Sequence, residues 1–140
     1  MQYVCDAPGA ATWFRFETEA EAEAEAALMA HAVDRYFRHF EAAARESFRG
    51  PRGAPSFEQA IGLKDHITRA MPVFLTLRAD DGQGLATAML PPRGRNQANF
   101  KIVIVGPANA DPYIAHANAI AALGAHYGLK LPREECFPYA

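Results

Sequence analysis

The residues able to do chemistry gather in two loops. Arg93-Gly94-Arg95-Asn96 sets two guanidinium forks beside a glycine that allows close backbone approach, which suits a phosphate or carboxylate ligand. Arg69 and His66, at the end of the preceding helical pattern, are placed to join it. The plainer reading, a solvated loop kept soluble by its arginines, weighs more, since long loops are either functional or disordered. The second group, Asp80, Asp81, Asn109 and Asp111, offers the hard oxygens that suit Ca²⁺ or Mg²⁺. Its spacing is not that of an EF-hand. Asp80 and Asp81 are ordinary hairpin-turn residues, and Asp111 before Pro112 is a helix cap. No metal is expected.

Histidines stand at 31, 39, 66, 116 and 126, none four residues from another, and HExxH is absent. His31 and His39 flank an apolar helical stripe and read as surface or boundary residues. His116, close in sequence to Asn109 and Asp111, is the one histidine worth testing as a general base. Cys5 and Cys136 cannot make a structural zinc site alone, which needs four ligands at paired spacing. They read as two small buried thiols that meet only if the tail folds back on the first hairpin. No P-loop, GxSxG elbow or GxGxxG is present, and the aromatic run around Arg15 lacks the basic stripe of a base-stacking surface.

These loops need a scaffold, and residues 72–107 supply it. VFLTLRA, GLATAML and FKIVIVG are three β-rich runs, the first two joined by DDGQ and the last by PPRGRNQAN. An antiparallel meander puts residues 80–83 and 106–111 at one end of the sheet, and residues 91–99 at the other. Residues 3–5 and 12–16 predict a hairpin around Asp6-Ala-Pro-Gly9. Thr18 and Glu21 form a capping box opening a helix whose stripe of Met29, Val33, Phe37, Phe40 and Ala44 carries it to Gly50-Pro51. A rod of about 30 residues would reach roughly 45 Å, more than one domain needs. A connector over 50–55, a second capping box at Ser56 and Gln59, a helix that Gly62 could interrupt, and a C-terminal helix from Asp111-Pro112 to Gly128 complete the chain. A short strand over 129–131 could close it. The class is α+β: an N-terminal hairpin plus a three-stranded antiparallel meander, packed by a long first helix, a shorter second and a C-terminal third. Both sheet faces are partly apolar, so both need cover.

At 140 residues the chain fits one domain. A net charge of -2 and a pI near 6.2 argue against nucleic acid or an anionic membrane as partner. No apolar run spans a bilayer, and the start at Met1 has no leader pattern, so a cytoplasmic chain with reduced thiols is expected. The order strand, two helices, three-stranded meander, helix resembles the acetyl-CoA-dependent N-acetyltransferase fold over roughly residues 12–131. VFLTLRADDGQGLATAML looks like its second and third strands, and FKIVIVGP like its fourth. The stretch where that family keeps its Q/R-x-x-G-x-G/A pyrophosphate loop reads GPANADPY here, so no catalytic residue is carried over and no cofactor is expected. The first expectation for function is a non-catalytic domain acting through a protein partner or self-association as a homodimer. The alternative is a small-molecule-binding enzyme of acetyltransferase-like topology that takes an anionic ligand.

Overall fold

Alternation decides the sheet. In the computed structural model, which describes residues 1–48 and 56–139, five strands pair in sequence order as one antiparallel sheet. They are β1 (Gln2–Ala7), β2 (Ala11–Phe16), β3 (Val73–Arg78), β4 (Gly84–Leu90) and β5 (Val103–Val105). The expected hairpin is β1–β2, and the expected meander is β3–β4–β5. They join through β2 and β3, where Trp13 faces Leu77 and Phe16 faces Phe74. Because neighbouring side chains point to opposite faces, β3 feeds two cores at once. Val73, Leu75 and Leu77 pack with Trp13, Ile104 and Leu123 on one side. Phe74 packs with Phe16, Phe37 and Met89 on the other.

Helices cover both faces of the sheet. One face carries α4 (Tyr113–Tyr127), anchored where the Trp13 indole donates to the Ala119 carbonyl at 2.8 Å. The other carries α1 (Glu19–Met29) and α2 (Val33–Ser47). The single rod expected from the apolar stripe is therefore two helices. Ala30 adopts a left-handed conformation (φ 53°), closing α1 through its N–H to the Ala26 carbonyl. The chain then doubles back, and Arg38 on α2 lies 3.7 Å from Glu19 and 3.6 Å from Glu23 on α1. The stripe survives the bend, with Met29, Val33, Phe37 and Ala44 all buried. The Thr18 cap holds, its Oγ1 accepting from the Glu21 N–H at 3.1 Å, while the Glu21 carboxylate reaches back to the Thr18 hydroxyl and to the Glu17 N–H one residue before the cap.

α3 (Ser56–Ala70) runs through Gly62 without a break. The connector over residues 50–55 and the Gly50-Pro51 stop lie outside the described residues, as does the Ser56 side chain on which the second capping box depends. After α4 the chain does not form a strand at 129–131. It turns at Arg133–Glu135 and sets Phe137 beside Val103 in a parallel bridge. The Phe137 N–H donates to the Ile102 carbonyl at 2.8 Å, and the Ile104 N–H to the Phe137 carbonyl at 3.3 Å, so the tail guards the β5 edge. No helix among the described residues is long and apolar enough to cross a membrane.

Two helical glycines give opposite expectations. A Cβ on Gly62 would rest 3.4 Å from the Phe48 ring, an ordinary contact, whereas one on Gly124 would stand 2.6 Å from the Leu129 carbonyl oxygen. Gly62→Ala is expected to stabilise the protein by about 0.5–1 kcal/mol through helix propensity. Gly124→Ala should destabilise it. Chemical denaturation of both variants checks the pair.

Candidate functional site

α1 begins with EAEAEAEA, yet its four glutamates have different fates. Glu19 and Glu23 face water, Glu21 caps, and Glu25 is 1% exposed. Ala22, Glu25 and Met29 share the buried side at three- and four-residue spacing, which drives Glu25 into the sheet. Its carboxylate meets two strands there. The Arg78 guanidinium donates to Oε1 at 2.8 Å, and the Thr87 hydroxyl to Oε2 at 2.6 Å. Arg78 Nε also donates to Thr76 Oγ1 at 2.9 Å. A buried carboxylate is tolerated only when paired and hydrogen-bonded in this way.

The network reaches His31 at the α1–α2 bend. Its Nε2 lies 2.8 Å from Thr87 Oγ1. Thr87 has one hydroxyl proton and gives it to Glu25, so its oxygen must accept from His31, and the proton sits on Nε2. Nδ1 is then free to accept from the Val33 N–H, 3.4 Å away at the start of α2. Burial pushes the His31 pKa below its ordinary 6.5, against the pull of Glu25 and Asp34. The neutral ring is thus both the bridge to the sheet and the stop on the bend.

Beside this network lies a cavity of about 340 Å³. Val33, Met89, Val103, Val105, Phe137 and Pro138 make its walls apolar, and Thr87 and His31 form a polar patch. Tyr36 and Asn109 stand at its edge, both exposed. The sequence singled out only Asn109 among these. The turn of residues 107–109 brings it there, with Ala108 and Asn109 at positive φ (54° and 60°). Asp111 is engaged elsewhere: its carboxylate accepts from the Tyr113 N–H at 2.9 Å and from Arg133 at 2.6 Å, and those partners hold it below the usual carboxylate range. His116 does not line the cavity; it sits half-buried in the first turn of α4. Asp80 is exposed, and Asp81 accepts from the Gln83 N–H within the hairpin turn. Among the described residues no group of three or more His, Cys, Asp or Glu is placed to hold a metal.

The basic loop sits at the other end of the sheet, as the meander requires. Arg69, Arg93 and Arg95 are exposed and make no ion pair among the described residues. α3 packs on the Pro92–Gly94 turn, so Arg69 and Arg93 ride on neighbouring elements. Asn96 instead borders a separate cavity of about 420 Å³ with Lys130, Glu135 and Cys136. Cys5 and Cys136 are free thiols packed against one core, and burial pushes both pKa values up. In the GPANADPY stretch the N–H groups of Gly106, Asn109 and Ala110 donate to carbonyls of the same turn, which leaves them unavailable to a pyrophosphate. No family model, no curated protein and no solved structure matches this chain.

In sequence His31 reads only as a surface or boundary residue, and Glu25, Thr87 and Tyr36 do not stand out as site residues. The one signal was the three–four spacing of Ala22, Glu25 and Met29, obscured by the repeat around it.

Two outcomes test the network. Arg78→Met strands a buried carboxylate and should cost about 3 kcal/mol or more, while Glu25→Leu in that background should recover much of the loss, read by urea denaturation. His31 carries a lowered folded pKa, so below pH 6.5 the unfolded chain takes up a proton that the folded chain refuses. Stability should therefore fall as pH drops from 6.5 toward the folded value, and His31→Gln should flatten that part of the profile.

Proposed function

We propose that this protein binds a small, mainly apolar organic molecule in the cavity beside His31. The observation that carries this reading is an apolar space of about 340 Å³ whose polar patch is already satisfied from within the protein. Such a space discriminates by shape, with a few polar groups at the edge to fix orientation. The network argues for binding over catalysis. A nucleophilic hydroxyl would need to hand its proton to the histidine, whereas Thr87 gives its proton to Glu25 and accepts from His31. Self-association, expected from an overlong helix, a sheet apolar on both faces and the lack of a catalytic constellation, loses the support of the helix, which is a hairpin closed on its own sheet. A protein partner keeps the support of Phe57 and Ile61, one turn apart on α3 and 76% and 50% exposed.

The test is a solution NMR titration with small neutral probes, namely indole, toluene and cyclohexanol. Shift changes at Val33, Met89, Val103 and Val105 are expected, together with a raised melting temperature. Val103→Phe, which fills the space from β5, should abolish both. Binding that Val103→Phe leaves intact, or no binding by any probe, would remove the reading.

A further inference from the structure

The cavity does not end at Phe137. A second space of about 320 Å³, bordered by Phe40, Phe100 and Lys101, shares Tyr36, Met89, Val103 and Phe137 with the first. Four common wall residues set the two side by side along β5, and together they define a trough over that strand. From Val105 to Lys101 is four strand steps, roughly 13 Å. The two ends differ. At the inner end the polar atoms of His31 and Thr87 already have protein partners, and the Asp34 carboxylate, in the first turn of α2, already places a negative charge there, held by the Arg38 guanidinium at 2.9 Å. A second anion is disfavoured there. At the outer end the exposed Lys101 ammonium lies 5.6 Å from the Phe137 ring centroid and has no carboxylate partner among the described residues. An extended peptide is a poor occupant, because the Ile104 N–H on the β5 edge is spent on Phe137.

We propose that the trough holds a medium-length carboxylic acid, with its chain on Met89, Val103 and Phe137 and its carboxylate at Lys101. This deepens the binding reading above and rests on it. An exposed ion pair adds little, so octanoate should bind only about three- to fivefold tighter than octanol. Calorimetric or NMR titration of octanoate, octanol and acetate tests head group and length separately. Acetate, which has the charge without the chain, should not bind. Lys101→Met should erase the preference for octanoate while leaving octanol unchanged, and Val103→Phe should remove both. Equal affinity for octanoate and octanol, an unaltered preference in Lys101→Met, or acetate binding as well as octanoate would each overturn the inference. If indole or toluene binds and octanoate does not, this inference fails and the cavity reading stands. If no ligand binds at all, both fail together.

Discussion

A carboxylate taken out of water costs several kcal/mol unless charge and hydrogen bonds replace what water gave it. Glu25 imposes that constraint on this fold, and the arrangement around it can be read as the response. Arg78 supplies the charge from β3, and Thr87 supplies a hydroxyl from β4. Thr87 then has a lone pair left for His31, and His31 in turn holds the first N–H of α2. One buried charge thus registers α1 against two strands and sets the bend from which α2 departs. Without it, the His31–Thr87 bond would be left to tie the helical hairpin to β4.

The same chain of contacts shapes the space beside it. Val33 and Tyr36 overhang the cavity because the bend starts α2 there, and Met89 and Val103 face it because their strands present that side to α2. The far wall, Phe137 and Pro138, comes from a tail that α4 carries across the opposite face before returning it parallel to β5. The cavity is therefore assembled from segments distant in sequence, on a scaffold whose two cores are filled independently.

The sheet and its loop ends were legible because alternation is a local signal: Val73, Leu75 and Leu77 against Phe74 and Thr76 allow only one pleat. The Thr18–Glu21 cap was legible for the same reason. The bend at residues 30–32 was not. An alanine-rich stretch with no glycine or proline propagates a helix by every local rule, and holding Ala30 at positive φ costs about 1 kcal/mol. Tertiary contacts decide it, by burying Met29 and Val33 on one sheet and tying His31 to Thr87. His31 reads as a mere boundary residue because a partner 56 residues away leaves no trace in spacing. His116 drew attention because it is near Asn109 in sequence, while its own helix carries it elsewhere. Asn109 was reached because strand direction alone fixes which loops share an end.

The EAEAEAEA stretch is low-complexity sequence of the kind that gains or loses whole units when its gene is copied. Removing or adding one Glu-Ala pair would leave composition, charge pattern and helix propensity almost unchanged. It would also turn everything before the change by about 200° relative to everything after it, since each residue advances the helix by about 100°. The repeat would refill the positions of Ala22 and Glu25 in kind, so the change falls on the start of the helix, where the Thr18 cap and the link to β2 would no longer meet the first turn as they do now. A repeat that looks interchangeable letter by letter is thus tied in length to what stands at its ends, the Thr18 cap on one side and the bend at residues 30–32 on the other.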